Sequence, residues 1–178
     1  MKLFYLILGA TSTGRNIEQH DVFFGIAENV EDLHPEIKNF WKLSKLHIDC
    51  YQEVRFADGY ELKIVEKTEV RNNAQLFFVN LGGYKLGYFE EFHEQHLMVG
   101  SSLAEVIKKV KKTRFYKTMG FKNAPSHLDD QHGVDIDDIY NVTDMLSKET
   151  KDKYSIILEK SDLKNQENVM KVGYFKIK

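Results

Sequence analysis

Two short elements of the chain combine histidine with carboxylate, and each occurs twice. The first is an acid, any residue, a histidine and a second acid; the second is a histidine, any residue and an aspartate. Their residues are Glu18, His20 and Asp21 with His47 and Asp49 in the first half, and Glu91, His93 and Glu94 with His127 and Asp129 in the second half.

These residue types can bind metal. On an extended strand, residues two apart point to the same face, about 6.5–7 Å apart along the chain. If the two elements are neighbours in the fold, each half gathers two imidazoles and two carboxylates. Such a set binds zinc, manganese or iron(II), and a carboxylate beside an imidazole can also orient it as a general base. The metal ligands of this hypothesis include His20, His47, His93 and His127.

The plainer interpretation is structural. A histidine at the start of a strand commonly ties a loop to a backbone carbonyl, and an adjacent acid holds its tautomer. We therefore predict a non-catalytic module that binds a small ligand or a protein partner, with no cofactor and no assigned catalytic residue. The alternative is a metal-dependent enzyme or metal-binding protein that uses the repeated elements.

Other chemistry finds little support. The stretch from His93 to His96 resembles a zinc-peptidase motif, but its histidines are three apart and that motif needs four on a helix. The glycine-bounded loops after the apolar stretches lack the Gly-Lys-Ser/Thr of a phosphate-binding loop. Cys50 has no adjacent basic residue, which favours a buried small residue over a reactive thiolate.

The two halves align with each other. Residues 2–38 align with 75–111 at a constant shift of 73 without a gap, and the later His-x-Asp elements align after a slip of seven residues. Chance does not explain similarities that keep the same order in both halves. The sequence therefore predicts a tandem repeat.

Each repeat is predicted to be ββαββ. Residues 3–9 form a continuous apolar strand, 21–27 a second strand, and Ser102 begins a capping box for the helix of the second unit. In the first unit Pro35 places the helix start nearer Asp32 than Asn29. A single helix over 17–40, which would give βαββ, is the alternative.

The expected fold class is α+β, with the two units related by approximate two-fold symmetry and with helices on one face of mainly antiparallel sheet. The predicted units are 1–74 and 75–160, sharing one core, and 161–178 forms an extra C-terminal strand. That strand closes a sheet edge or pairs with a second chain, which would make a homodimer.

The string LFYLILG, followed by GRNIEQHDVFFGIAENVEDLHPEIKNFW, KLHIDCYQEV and DGY, resembles a bacterial family known as domain of unknown function 1543. The resemblance covers both copies, about residues 2–67 and 75–160. It implies the domain layout. It implies no reaction, ligand or cofactor.

Composition narrows the protein class. The chain has 178 residues, of which 42% are hydrophobic and 29% charged, as in ordinary globular proteins. A formal charge of −2 gives no reason to expect nucleic acid or an anionic membrane as partner. Cys50 is the only cysteine, so no internal disulfide can form and a cytoplasmic location is expected. The apolar start resembles a signal peptide, but its pattern recurs inside the chain, so we interpret it as a buried strand.

Overall fold

The protein is described by a computed structural model that covers residues 1–43, 45–67, 73–119, 134–162 and 167–178, with 134–137 described by their backbone alone. The chain divides into two compact units. The first comprises Met1–Val70 with Thr143–Lys178, and the second comprises Arg71–Val142.

The first unit contains two antiparallel sheets. Its strands are β1 (Lys2–Ala10), β2 (Gln19–Ala27), β3 (His47–Glu53), β4 (Phe56–Ala57), β5 (Tyr60–Glu66), β9 (Tyr154–Lys160) and β10 (Met170–Lys176). One sheet has the order β10-β3-β1-β2 and the other the order β4-β5-β9. The helix α1 (His34–Phe40) follows a 3-10 turn at Val30–Leu33.

The second unit contains one sheet of the order β7-β6-β8. Its strands are β6 (Gln75–Tyr84), β7 (Glu91–Gly100) and β8 (Val134–Asn141), and its helices are α2 (Leu103–Val110) and α3 (Arg114–Thr118). Two short helices, α4 (Val142–Met145) and α5 (Lys148–Lys153), lead back to β9. The strand pairs described in both units are antiparallel, so the predicted α+β class with mainly antiparallel sheet is confirmed.

The continuous apolar pattern of β1 reflects burial on both faces of the strand. Alternate residues of this strand, Phe4, Leu6 and Leu8, pack on one face against Leu33 and Ile37 of the helical segment. Burial of these side chains is the main stabilising contribution of this layer. Leu3, on the other face of β1, is buried as well. The helix of the first unit therefore covers one face of its sheet, and we call this the helix face.

The second strand of the first unit excludes the long-helix alternative. Residues 19–27 are paired along β1, from Ala10 opposite Gln19 to Lys2 opposite Ala27. Pro35 lies in the first turn of α1, where its missing N–H leaves no helical hydrogen bond unmade. The helix thus begins after Asp32, as the proline predicted.

The central strands of the two units have the same register. Gly9 is opposite His20 in the pair β1–β2, and Gly82 is opposite His93 in the pair β6–β7. The pairing of β1 with β3 is interrupted between Ile7 and Leu8, and that of β6 with β8 between Asn80 and Leu81. Each of these positions in β6 and β7 is 73 residues after its counterpart in β1 and β2.

Strand β9 joins the first unit, although the sequence analysis assigned residues 75–160 to the second. It pairs along its whole length with β5 and brings Leu62 opposite Leu158 and Ile64 opposite Ile156. These apolar cross-strand pairs stabilise the sheet. A long-range pairing of this kind leaves no local trace in the sequence, because any apolar strand can satisfy it.

The start of α2 is capped by two serines. Ser102 Oγ accepts a hydrogen bond from the backbone N–H of Glu105 at 3.3 Å, as the capping box predicted. The carboxylate of Glu105 accepts bonds from the backbone N–H and the hydroxyl of Ser101, each at 2.8 Å, where the predicted box would use the N–H of Ser102. These two bonds lower the pKa of Glu105.

We expect Ser102→Ala to lower the free energy of unfolding by about 1 kcal/mol, because the first turn of α2 loses its side-chain acceptor. Urea unfolding followed by circular dichroism measures this change. Thr13→Ala removes an exposed hydroxyl from a loop and is the control, expected to leave the midpoint unchanged. Equal midpoints for all three proteins would show that the cap contributes nothing.

Among the described residues, none of the helices is both long enough and apolar enough to span a membrane.

Candidate functional site

Gly9 lies between two histidines in a row of residues that crosses three neighbouring strands of the larger sheet of the first unit. In β1 it is opposite His20 of β2 on one side and opposite His47 of β3 on the other. Its neighbour Leu8 packs on the helix face, so Gly9 belongs to the opposite face. The sheet therefore presents both histidines beside a position that has no side chain.

A bulge brings Asp49 to the same place. The register between β1 and β3 passes from Cys50 directly to Ile48, so Asp49 is the extra residue of the bulge. A Cβ placed on Gly9 would lie 2.7 Å from Asp49 Oδ2 and 2.6 Å from His47 Nε2. Bulges often redirect a side chain next to a functional site, and this one directs Asp49 over Gly9.

The four donor side chains of the first unit meet above Gly9. Asp49 Oδ2 lies 3.3 Å from His20 Nε2, and Asp49 Oδ1 lies 3.2 Å from His47 Nε2. Glu18 directly precedes β2. Its Oε2 lies 3.7 Å from His20 Nε2, and its Oε1 lies 3.5 Å from His47 Nε2. We call Glu18, His20, His47 and Asp49 the four-donor cluster. The sequence predicted this set as candidates, and the fold brings them together.

His47 is the fixed member of the cluster. It is only 2% exposed, its Nδ1 lies 2.9 Å from the carbonyl oxygen of Lys45, and its ring stacks on Tyr174 of β10 with centroids 4.1 Å apart. A carbonyl oxygen only accepts, so Nδ1 carries the proton of this bond. The other ring nitrogen, Nε2, therefore points into the cluster.

The electrostatics of the cluster are unbalanced. With Nδ1 as donor, Nε2 of His47 faces two carboxylate oxygens as a third acceptor, unless a second proton makes the ring an imidazolium. Asp49 Oδ2 is buried and has no hydrogen-bond partner among the described residues. Three acceptors repel one another unless a cation lies between them. Either a proton or a metal ion must provide that positive charge.

As the side chains are placed, the described part of the chain contains no group of three or more His, Cys, Asp or Glu residues that could hold a metal ion. The four-donor cluster shows why. Each carboxylate divides its two oxygens between the two imidazoles, so the oxygens do not point at one centre. A metal ion would need Glu18 and Asp49 each to turn one oxygen inward.

The cluster is open on one side. The side chain of His20 is 51% exposed and that of Glu18 is 40% exposed. Cys50, next to Asp49 in β3, is half-buried, and its burial followed by the charge of Asp49 raises the pKa of its thiol. The thiol thus stays protonated, which agrees with the expectation that Cys50 is no reactive thiolate.

The remaining first-half candidate lies elsewhere. Asp21 is opposite Leu8 in β1, which places it on the helix face, away from His20. Its Oδ1 accepts a hydrogen bond from the backbone N–H of Val22 at 2.7 Å. Asp21 is therefore adjacent to the cluster in sequence but is not a member of it.

In the second unit the candidates form two separate pairs. His93 Nε2 lies 3.9 Å from Glu91 Oε2. Glu94 is opposite Leu81 in β6, so its contact with His96 at 2.7 Å lies on the other face of the sheet. That contact lacks hydrogen-bond geometry, since His96 Nε2 is buried without a hydrogen-bond partner among the described residues.

His127 and Asp129 lie outside the described residues. The strand that pairs with β6 begins at Val134, and its register places Asp135 opposite Gly82, where the first unit places His47 opposite Gly9. The two units thus share a backbone position but differ in the residue type that occupies it.

Sequence reasoning missed Gly9 and Tyr174 as parts of the site. Gly9 ends the apolar run of β1, and a glycine inside a strand often marks close approach by another group, so that signal was present. Tyr174 reaches His47 through the pairing of β10 with β3, between residues more than a hundred positions apart. No local signal could have found it.

A family model matches part of the chain, and a solved structure has a similar fold. Residues 15–64 match the model of a family described as Domain of Unknown Function (DUF1543). This match supports the resemblance that the sequence showed. All four members of the four-donor cluster lie within the matched segment.

The fold has a solved counterpart. The crystal structure of a protein Il1583 from Idiomarina loihiensis covers 99% of this chain and 97% of its own, with a TM-score of 0.68 and 24% sequence identity. At this identity the likeness shows the fold alone. No curated protein is significantly similar to the chain.

Proposed function

We propose that the first unit binds one divalent transition-metal ion at the four-donor cluster. His20 and His47 would provide Nε2, and Asp49 and Glu18 would each provide one carboxylate oxygen. Two imidazoles with carboxylates suit zinc, manganese or iron(II). The observation that carries the proposal is the convergence of four donor side chains above Gly9, in which Asp49 Oδ2 is buried and has no hydrogen-bond partner among the described residues.

The donor spacing supports this proposal. Metal–ligand bonds of about 2.0–2.2 Å place neighbouring ligands of a tetrahedral ion about 3.3–3.6 Å apart. The four contacts between imidazole and carboxylate in the cluster span 3.2–3.7 Å. One oxygen of each carboxylate must still turn inward, because the four contacts use four different oxygens. The carboxylates have room to turn, because the side chains of Asp49 and Glu18 are 32% and 40% exposed.

The second candidate function is the non-catalytic module in which these histidines only anchor loops. The bond from His47 Nδ1 to the Lys45 carbonyl favours it, since a structural histidine makes the same bond. Histidines that bind metal also commonly donate their second N–H to a carbonyl. The bond is thus shared by both candidates, and metal content distinguishes them.

We expect the tag-free protein, purified without chelator or reloaded with zinc and desalted, to retain about one equivalent of metal per first-unit site by elemental analysis. His20→Ala is expected to lose it, because one of two imidazole ligands is removed. His93→Ala is the matched control: it alters the corresponding residue of the second unit and keeps the metal bound by the first. Wild-type protein without metal after reloading would contradict the proposal.

We propose further that the two halves are copies of one ββαββ unit in a cytoplasmic protein. The shared register of Gly9 with His20 and Gly82 with His93, and the interruptions at the same position of β1 and β6, support the repeat. The half-buried single cysteine, whose thiol stays protonated, supports a reducing compartment.

A further inference from the structure

A cavity beside the end of helix α1 is lined by three cations. Its volume is about 380 Å³, and its walls come from the helix, from residues 41–43 and 45–46, and from the segment after β10. The charged side chains that line it are those of Lys38, Lys42 and Lys45. No Asp or Glu is among the described residues that line it, and the sequence has none between Glu36 and Asp49. We call this space the lysine cavity.

The apolar side of the lysine cavity belongs to the helix-face core. Trp41, Leu46 and Ile177 line the cavity and also pack against that core. The position of Ile177 is further set by its neighbour, because the backbone N–H of Lys178 donates to His34 Nδ1 at 3.3 Å. An apolar surface for a ligand is therefore formed before the ligand binds.

Lys45 has an uncommon backbone conformation. Its φ is +56°, in the left-handed region that residues other than glycine rarely adopt. Its carbonyl oxygen accepts the hydrogen bond from Nδ1 of the buried His47 at 2.9 Å, and this bond holds the conformation in place. Backbone strain of this kind is concentrated at functional sites.

The three lysines of the cavity are not neutralised by other side chains. In the described part of the chain none of their ammonium groups has an ion-pair partner, whereas Lys63, for example, pairs with Glu159 at 2.6 Å. The end of helix α1 explains only Lys38, since a cation in the last turn complements the helix dipole. Lys42 and Lys45 follow the helix. Cations that share a cavity repel one another unless an anion lies among them.

We propose that the lysine cavity binds a small phosphate monoester with an aromatic or aliphatic body. The phosphoryl head carries a charge of about −1.5 to −2 at pH 7 and lies among the three ammonium groups. The body lies against Trp41 and Leu46. A volume of about 380 Å³ suits one small molecule, since ligand pockets range over about 300–1,000 Å³.

This site is separate from the four-donor cluster. Its apolar side packs against the helix-face core, whereas the cluster lies on the opposite face of the sheet. Its binding is therefore measured in the presence of EDTA, where no metal ion at the cluster contributes. A failure of the proposed metal site would leave this result unchanged.

The test uses the indole N–H signal of Trp41, the only tryptophan of the chain, in proton–nitrogen NMR correlation spectra. Phenyl phosphate has both parts of the proposed ligand, inorganic phosphate has only the head, and benzyl alcohol has only the body. We expect phenyl phosphate to displace the Trp41 signal and to bind at least about tenfold more tightly than either part alone, because only this probe uses both sides of the cavity.

Two lysine pairs separate the cavity from the overall charge. Lys38→Gln/Lys42→Gln is expected to weaken phenyl phosphate binding at least about tenfold and to leave benzyl alcohol binding unchanged, because two of the three cations are removed. Lys108→Gln/Lys112→Gln is the matched control: it removes the same charge from the second unit and is expected to keep the affinity.

Three results would overturn the inference. The first is a Trp41 signal that does not move with millimolar phenyl phosphate. The second is equal affinity for phenyl phosphate and inorganic phosphate, which would mean that the apolar side of the cavity contributes nothing. The third is an equal effect of the two lysine pairs, which would assign binding to the net charge of the protein.

Discussion

Gly9→Ala is expected to abolish metal binding by the first unit and to lower the free energy of unfolding by about 1–3 kcal/mol, the usual range for overpacking. The added Cβ would lie 2.6 Å from His47 Nε2 and 2.7 Å from Asp49 Oδ2. These are two of the four proposed ligand side chains. A single methyl group would occupy the space into which they must turn.

Neither neighbour of that methyl group can yield without losing the site. His47 is held by the Lys45 carbonyl at one nitrogen and by the ring of Tyr174 across its plane. The backbone of Asp49 is set by the bulge of β3, so its carboxylate can avoid the methyl group only by turning away from Gly9. Relief of the clash must therefore move the Nε2 of His47 or the carboxylate of Asp49, and either movement separates the donors.

The measurement pairs zinc affinity, from competition with a chromophoric chelator, with urea unfolding in the presence of EDTA. Gly100→Ala is the matched control, because its Cβ would lie 2.9 Å from Val106 Cγ2 in the core of the second unit. We expect it to lose similar stability and to keep the zinc of the first unit. Unchanged zinc affinity in Gly9→Ala would show that the ion does not bind above Gly9.

Sequence patterns predicted the parts of the fold that depend on neighbouring residues. The continuous apolar run of β1, the position of Pro35 in α1 and the serine cap of α2 are all local, and the structure has each of them. The pairing of β9 with β5 was not predicted. This pairing depends on which apolar strand lies beside β5, and contacts throughout the fold determine that, not the residues next to either strand.

The candidate site was predicted in composition but not in geometry. The same-face rule for residues two apart joined Glu18, which directly precedes β2, to His20 of that strand. The rule also placed His47 and Asp49 on one face. In the structure these two residues do lie together, but the bulge, and not simple alternation along the strand, positions Asp49. Bulges have no reliable sequence signature, so the way in which Asp49 approaches His20 could not be derived.

The two units have different residue types at matching positions of their strand pairings. Gly9 and Gly82 occupy equivalent positions of the central strands, but the residue opposite on the third strand is His47 in one case and Asp135 in the other. An imidazole that replaces a carboxylate changes the metals that a site prefers. This difference is the reason for using His93→Ala as a control for His20→Ala.

Asp49→Asn is expected to distinguish a metal ligand from a structural residue. If Asp49 is a ligand, the substitution lowers zinc affinity without lowering the stability of the metal-free protein. Zinc affinity should fall at least about 100-fold, since loss of even an outer-shell partner costs 10–100-fold and Asp49 would be a direct ligand. Without metal, stability should stay equal or rise by up to about 1 kcal/mol. A residue that serves binding and does not stabilise the metal-free fold behaves in this way.

The stability gain has a specific origin. Asp49 Oδ2 is buried and has no hydrogen-bond partner in the part of the chain that the structure describes, and both Asp49 and Glu18 direct a carboxylate oxygen at His47 Nε2. An amide in place of the Asp49 carboxylate removes one negative charge and brings an N–H that can donate to Nε2. If Asp49 instead paired with an imidazolium as structural glue, the same change would lower stability by about 1–3 kcal/mol.

Urea unfolding with EDTA and zinc competition on the same samples measure both quantities. Asp21→Asn is the matched control: it neutralises a carboxylate on the helix face, beside His20 in sequence but outside the four-donor cluster. It should leave zinc affinity unchanged. A destabilised Asp49→Asn that binds no zinc, beside a wild type that also binds none, would return Asp49 and both histidines to the structural role, because only an ion pair would then explain their convergence.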